Sequence, residues 1–375
     1  MSIYEKADKK TGPYKLLALD GGGIRGVITL EVLEKIEATL RESLGDDSLV
    51  LGKYFDYIAG TSTGAIIATA LSYGMSVAEL KKFYNDSGQQ MFDKVFILNI
   101  KKKMSYKYGD ENLAKKLKEV FGEDTTFGSE KLKTLLMLVM RNATTDSPWP
   151  LSNNPKAKYN DLSNSDSNLK LPLWQLVRAS TAAPTFFPPE KVKLGDREFI
   201  FVDGGVTSFN NPAFQLFLMA TLEPYKLMWP TGEDNMLLVS VGTGLTPEIN
   251  PELDVSKMRL LYNAKNVPSA LMLAAQEQQD LLCRSFGKCL SGDIVDGEIG
   301  DMVGAKGPVE PKLFTYMRYN AELTRRGLDL LDGLDDIDPK QVQEMDSVQH
   351  IDKLERIGKA IAKQVNPEHF AKFLQ

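Results

Sequence analysis

Four short apolar runs in the chain each end in a glycine-rich turn, either directly or after one aspartate. They lie at residues 15–19, 55–59, 199–202 and 237–241. Each has the length and near-continuous hydrophobicity of a buried strand in a parallel sheet. An amphipathic helix is predicted from Val27 to Leu44, between the first two runs, which makes a βαβ unit. Because ligands of open α/β sheets bind beyond the carboxyl ends of the strands, we expect a site where these glycine turns converge.

The composition is that of an ordinary globular chain. Of the 375 residues, 43% are hydrophobic and 25% are charged, and the net charge is −5. This balance gives no bias toward polymeric nucleic acid as a partner. Two cysteines, Cys283 and Cys289, make no disulfide framework, and no metal-ligand cluster is recognisable, so neither a metal nor a cofactor is expected. The sequence has no apolar signal core and no uncharged apolar run of about 18 residues, which predicts a soluble intracellular protein.

Ser62 lies in a Gly-x-Ser-x-Gly pattern, with Gly60 and Gly64 on either side, between a predicted strand and a predicted helix. A serine at such a turn is held in a strained backbone with its hydroxyl projecting outward, and the glycines let the strand and the helix approach closely. The pattern alone also fits an ordinary glycine-rich loop. Its position between strand and helix favours a nucleophile elbow, and therefore acyl transfer.

The base that would activate Ser62 is predicted to be a carboxylate. The chain has two histidines, His350 and His369, and neither follows a predicted strand. Asp203 ends the third apolar run, and Gly204 after it leaves room for another side chain to approach. A buried aspartate beside a hydroxyl can accept its proton if desolvation raises the basicity of the carboxylate. A turn-capping aspartate is the alternative, which the presence of Ser62 in the chain and the lack of a suitable histidine disfavour.

The glycines that follow the first run are the predicted oxyanion hole. Gly21, Gly22 and Gly23 offer successive unhindered N–H groups, and the N–H of Thr63, directly after the nucleophile, is a further donor. Arg25 either positions this loop or meets a lipid phosphate, with a structural ion pair as the equally weighted alternative.

The same glycines allow a second interpretation, a non-catalytic dinucleotide-binding module. Gly21, Gly23 and Gly26 satisfy Gly-x-Gly-x-x-Gly between a strand and a helix. Such a module needs an acidic residue at the end of the second strand, yet that strand is followed by Gly60. Asp20 would also bring a negative charge toward the pyrophosphate. This interpretation is therefore the less favoured one.

Three linked motifs resemble the patatin-like phospholipase family. They are Asp-Gly-Gly-Gly-Ile-Arg-Gly at 20–26, Gly-Thr-Ser-Thr-Gly at 60–64 and Asp-Gly-Gly at 203–205, with secondary similarities at 179–184, 240–244 and 318–320. The resemblance implies a three-layer α/β/α sandwich with a mostly parallel sheet. It also implies a dyad of Ser62 as nucleophile and Asp203 as base, an oxyanion hole in the glycine loop, and calcium-independent hydrolysis of acyl esters in membrane phospholipids.

The predicted domain organisation is a single unit. A catalytic core spans 14–245 with a variable insertion around 86–166, and a mainly helical region at 246–375 packs on the same domain. Aromatic and methionine side chains are candidates for an acyl pocket or for bilayer contact, with plain core packing as the alternative. They are Met91, Phe92, Phe96, Phe186 and Phe187.

In length and layout the chain is also similar to compact bacterial members of this family that act as antiphage effectors. That narrower resemblance implies a cyclic di- or trinucleotide activator, a homo-oligomer on activation, and a cytoplasmic protein that acts at the inner face of the membrane. Lysines at 101–103, 115, 116 and 118 are candidate contacts for the nucleotide or for anionic headgroups, with solvated helix faces as the alternative.

Overall fold

The computed structural model describes residues 2–92, 107–184, 186–249, 252–258 and 260–375. In this part of the chain, nine strands form one mixed sheet. The strands are β1 (Tyr14–Leu19), β2 (Tyr57–Thr61), β3 (Leu135–Asn142), β4 (Ser147–Ser152), β5 (Glu190–Leu194), β6 (Arg197–Asp203), β7 (Met236–Val241), β8 (Lys288–Ser291) and β9 (Thr315–Tyr319). Their order is β5-β6-β3-β2-β1-β7-β9-β8, and β4 also pairs with β3.

Helices flank the sheet, and the predicted three-layer α/β/α class is confirmed. They are α1 (Ile3–Ala7), α2 (Gly26–Leu44), α3 (Leu51–Tyr54), α4 (Thr63–Tyr73), α5 (Val77–Phe92), α6 (Lys107–Phe121), α7 (Leu173–Ser180), α8 (Ala213–Thr221), α9 (Leu260–Phe286), α10 (Arg325–Asp329) and α11 (Ile351–Ala362). Helix α4 packs on β2 and β3, α8 packs on β1, β2 and β7, and α2 packs on α5 and α11. Among the described helices, we find none with the length and apolar character that crossing a bilayer takes.

The centre of the sheet is parallel and buried, as the apolar runs predict. Strand β1 pairs in parallel with both β2 and β7, and every residue of these three strands is buried. Burial on both faces explains why the runs are continuously apolar rather than alternating.

Strand β6, in contrast, runs antiparallel to both of its neighbours, β3 and β5. Its sequence alternates, with Phe199 and Phe201 buried and Ile200 45% exposed. Such alternation is typical of a strand with one solvent-facing side. The run at 199–202 therefore belongs to an antiparallel strand that begins at Arg197, and not to the parallel set in which its carboxyl end was expected.

Strands β2 and β6 meet end to end along one edge of β3. The pairing of β2 with β3 ends at Thr61 and Val139, and that of β6 with β3 begins at Asp203 and Met140. Strand β4 occupies the opposite edge. Because β2 and β6 run toward each other, their carboxyl ends converge, and this brings Ser62 next to Asp203.

Two segments contribute more to the sheet than the sequence indicated. Residues 135–152, inside the predicted insertion, form β3 and β4. The region after 246, predicted to be mainly helical, adds β8 and β9, and β9 pairs in parallel with β7. All five residues of β9 are buried, including Arg318. Because this charged residue interrupts the apolar run, the sequence pattern did not indicate a buried strand here.

Candidate active site

Ser62 occupies a sharp turn between β2 and α4. Its backbone has φ 54° and ψ −122°, and a positive φ is uncommon for a residue other than glycine. A Cβ atom on Gly60 would lie 2.1 Å from the carbonyl oxygen of Gly64, and one on Gly64 would lie 2.4 Å from that of Leu19. Both glycines are therefore required by the close approach of the chain segments.

Ser180, the last residue of α7, holds the backbone of Ser62. The N–H of Ser62 donates a hydrogen bond to Ser180 Oγ (3.0 Å), and this hydroxyl donates to the carbonyl oxygen of Val139 on β3 (2.6 Å). Ser180 lies in the secondary similarity to the family at 179–184, but the sequence alone indicated no role for it. Since its partners are far away in the chain, that similarity was the only signal of its importance.

The structure brings Ser62 and Asp203 together. Ser62 Oγ donates to Asp203 Oδ2 at 2.6 Å, and the N–H of Gly205 donates to Asp203 Oδ1, also at 2.6 Å. Burial raises the pKa of Asp203 to about 6, although the hydrogen bonds from Ser62 and Gly205 and the charge of Arg178 oppose the shift. The serine proton is thus directed at a carboxylate whose basicity is raised by desolvation, as general-base activation needs.

Residues 21–23, called the oxyanion loop after their predicted role, retain two of their three candidate donors. The N–H of Gly21 donates to the carbonyl oxygen of Asn210 (3.3 Å), and Thr243 Oγ donates to the carbonyl oxygen of Gly21 (2.8 Å). Among the described residues no acceptor takes the N–H of Gly22 or Gly23. Both residues line the cavity, so their N–H groups are candidate donors to a ligand there.

An ion pair lies at the base of this loop. Asp20 is fully buried, and Arg318 Nη1 and Nη2 donate to its two carboxylate oxygens at 2.9 and 2.5 Å. Although burial alone would lower the pKa of the Arg318 guanidinium, the charge of Asp20 and these hydrogen bonds raise it. A charge-assisted pair with two parallel hydrogen bonds fixes the end of β1 where the loop begins.

Arg25 is also buried and contacts the loop. Its Nε donates to the carbonyl oxygen of Gly22 at 3.4 Å. Burial lowers its pKa to about 10, while the charges of Glu344 and Asp20 oppose that shift. These contacts fit the interpretation in which Arg25 positions the loop.

Ser62, Asp203 and the oxyanion loop lie on the wall of a cavity of about 270 Å³, which is otherwise mostly apolar. Phe186 and Phe187, two candidates for an acyl pocket, line it together with apolar residues of α4, α6 and α9. The side chains of the other three candidates (Met91, Phe92 and Phe96) lie outside the described residues. Thr63, the fourth predicted oxyanion donor, is not among the residues that line the described wall, and neither are the predicted supporting residues Gly60, Gly64 and Gly204. They lie in β2, in the first turn of α4 and directly after β6.

Neither histidine lines the described cavity wall. His369 instead contacts Tyr319, and the distance between Tyr319 OH and His369 Nδ1 is 2.8 Å.

The lysines on α6 face acidic neighbours: Lys116 Nζ is 3.0 Å from Glu119 Oε2, and Lys118 Nζ is 2.6 Å from Glu123 Oε1. These contacts fit a solvated helix face. Residues 101–103 lie outside the described residues.

A strained serine at a strand-to-helix turn is characteristic of serine hydrolases when it is hydrogen-bonded to a buried carboxylate and lies near backbone N–H groups that no described residue accepts. The sequence model of the patatin-like phospholipase family matches residues 17–217, more than half of the chain. The chain therefore belongs to this family.

Three relatives illustrate the similarity. A "cGAMP-activated phospholipase" of Vibrio cholerae is 33% identical over 208 residues, which cover 53% of this chain and 56% of the relative. A protein of the same description from Escherichia coli is 30% identical over 248 residues, 65% of this chain and 66% of the relative. An "Intracellular phospholipase A2" of Caenorhabditis elegans is 31% identical over 246 residues, 64% of this chain and 20% of the relative. The matches thus span less than two thirds of each relative.

Proposed function

We propose that this protein is a lipid acyl hydrolase of the phospholipase A type, which cleaves acyl esters of membrane phospholipids through a dyad of Ser62 and Asp203. The observation that carries the proposal is the 2.6 Å hydrogen bond from Ser62 Oγ to buried Asp203 at the wall of an apolar cavity. Family membership and the descriptions of the phospholipase relatives support the substrate class.

In the proposed reaction, Ser62 Oγ attacks the ester carbonyl carbon while Asp203 accepts the hydroxyl proton. The oxyanion accepts hydrogen bonds from the N–H groups of Gly22 and Gly23, with Thr63 as a further predicted donor. Collapse breaks the ester C–O bond, and the leaving alkoxide of the lysophospholipid takes the proton from Asp203. Water then attacks the acyl-enzyme, gives a proton to Asp203 and releases the fatty acid, and the proton returns to Ser62.

We further propose that a cyclic oligonucleotide activates the enzyme, which acts as an antiphage effector at the inner face of the cytoplasmic membrane. Support comes from the two bacterial relatives, both described as cGAMP-activated phospholipases. A change of oligomeric state on activation is part of the same proposal. The activation proposal predicts a low basal turnover of lipid, which rises when the cyclic oligonucleotide is added.

The test combines vesicles with variants of the dyad. Purified protein is incubated with phosphatidylethanolamine–phosphatidylglycerol vesicles, with and without cGAMP and other cyclic di- and trinucleotides, and mass spectrometry follows fatty-acid and lysophospholipid release. We expect Ser62→Ala and Asp203→Ala each to lower turnover by at least about 1,000-fold, since members of a catalytic unit act together. Asp47→Ala, which removes an exposed carboxylate, is the matched control and should retain wild-type turnover.

Each outcome bears on one part of the proposal. Near-full activity of Asp203→Ala would show that the dyad assignment is wrong. No release from vesicles with any ligand would contradict the phospholipase assignment. High basal release without a response to any cyclic nucleotide would contradict the activation step alone.

The structure offers little support for the alternative function, a dinucleotide-binding module. A Cβ atom on Gly26 would lie 2.6 Å from Thr63 Oγ1 on α4. The third glycine of the Gly-x-Gly-x-x-Gly pattern is therefore explained by the packing of α2 against α4. Binding of NAD by isothermal calorimetry, without any ester hydrolysis, would restore this alternative.

A further inference from the structure

Gln276 reaches from α9 to the wall of the active-site cavity, and both ends of its side-chain amide are used there. Gln276 Nε2 donates to Asp20 Oδ2 at 2.6 Å, and Gln276 Oε1 accepts from Asn210 Nδ2 at 3.1 Å. The residue is only 8% exposed. Hydrogen bonds in such a buried place are costly to leave unmade.

The two partners of Gln276 both hold the oxyanion loop. Asp20 directly precedes the loop, and its N–H donates to the carbonyl oxygen of Val241 (3.1 Å). The backbone oxygen of Asn210 accepts the N–H of Gly21 (3.3 Å), and its Nδ2 lies 3.5 Å from the oxygen of Gly21. A charged carboxylate can only accept, and the Asn210 amide donates here, so a neutral amide satisfies both neighbours at once.

We propose that Gln276 is a positioning residue for the oxyanion loop: by tying Asp20 to Asn210, it keeps the N–H groups of Gly22 and Gly23 in place for the developing oxyanion. The proposal rests on the proposed function, because the oxyanion is that of ester hydrolysis. Helix α9 lies beyond the family-matched residues 17–217. Through Gln276, the C-terminal region thereby contacts the residues that hold the oxyanion loop. A ligand that displaced α9 would change turnover by breaking the hydrogen bonds of Gln276.

The test uses two glutamines on the same helix. Gln276→Met keeps the length of the side chain and removes both hydrogen bonds, and Gln276→Glu places a second carboxylate against Asp20. Gln279→Met is the matched control: Gln279 lies one turn further along, is 7% exposed, and its Oε1 has no hydrogen-bond partner among the described residues. On activated protein, we expect kcat to fall about 10- to 100-fold in both Gln276 variants, below the effect of deleting an oxyanion donor. KM should change less than about threefold.

A second measurement reports on the loop without catalysis. Hydrogen exchange followed by mass spectrometry on a peptide that spans 20–26 should be about tenfold faster in Gln276→Met than in wild type, and unchanged in Gln279→Met. Gln276→Asn, whose shorter amide reaches one partner at most, replaces Gln276→Met if that variant does not fold.

Wild-type kcat in the Gln276 variants, or wild-type exchange of the peptide, would overturn the positioning role. If the wild-type protein itself hydrolyses no lipid ester, the proposed function fails instead, and the exchange rates alone decide whether Gln276 holds the loop.

Discussion

Asp203 carries two opposing properties in one side chain. Its carboxylate is buried, which raises its pKa to about 6, and its two oxygens accept hydrogen bonds from Ser62 and Gly205. The burial that gives it the basicity needed for proton transfer also makes its charged form unfavourable in the folded protein. If Asp203 is the catalytic base, the site is maintained at a cost in folding stability.

This cost predicts that Asp203→Asn stabilises the protein while it abolishes hydrolysis. An unfolded aspartate has a pKa of about 3.9, whereas that of folded Asp203 is about 6. Between these values the folded state retains a proton that the unfolded chain has lost, so wild-type stability falls as the pH rises. The neutral amide escapes this loss and retains the geometry, accepting from Gly205 and donating to Ser62 Oγ.

The measurement is urea unfolding of both proteins at pH 4 and pH 7.5. We expect nearly equal free energies of unfolding at pH 4 and an advantage of at most about 3 kcal/mol for Asp203→Asn at pH 7.5, since each pKa unit corresponds to about 1.4 kcal/mol. An advantage that is absent at pH 7.5, or equal at both pH values, would show that the burial of Asp203 does not govern its ionisation.

At the scale of elements, the contact between Ser62 and Asp203 depends on two strands that meet along one edge of β3. The elbow was predictable because its signal is local: an apolar run, two glycines around Ser62, and an apolar helix. The direction of β6 was not, because strand direction is decided by pairing with distant segments. The roles of Ser180 and Gln276 were missed for the same reason. Ser180 is 118 positions from Ser62, and Gln276 is 256 positions from Asp20.

The turn between β2 and α4 predicts a large effect of Gly64→Ala. The added Cβ would lie 2.4 Å from the carbonyl oxygen of Leu19 and 2.6 Å from that of Asp20. Leu19 ends β1, which lies between β2 and β7, and the N–H of Asp20 donates to the carbonyl oxygen of Val241 on β7, so neither oxygen can withdraw without disturbing the sheet. We expect a loss of about 3 kcal/mol or more in the free energy of unfolding, together with loss of hydrolysis.

Gly297→Ala is the control for this substitution, because nothing lies within 4 Å of its Cβ position. It should change the free energy of unfolding by less than about 0.5 kcal/mol. Thermal and urea unfolding provide the measurement. A Gly64→Ala protein as stable as Gly297→Ala would contradict the close approach of α4 and β1 at the turn.

At the scale of the whole molecule, the region after residue 246 completes the structure around the site. Strand β9 extends the sheet beside β7 and brings Arg318 to Asp20. Helix α11 packs on α2, and the carbonyl oxygen of Met345 accepts the N–H of Ile24 (3.0 Å), just after the oxyanion loop. The regions before and after residue 246 therefore share one sheet, and residues of both line the same cavity.

These shared contacts predict that the chain unfolds in a single transition. Separating the two regions would expose the edge of β7 and take Arg318 away from Asp20, and breaking such a buried ion pair costs about 3–5 kcal/mol. The three tryptophans, at 149, 174 and 229, report on residues before 246, whereas far-UV circular dichroism also reports on α9 and α11. In urea the two signals should have the same midpoint, as two-state unfolding requires. A tryptophan transition clearly separate from the loss of helix would show that the regions fold independently, and a chain truncated at 246 should then remain folded.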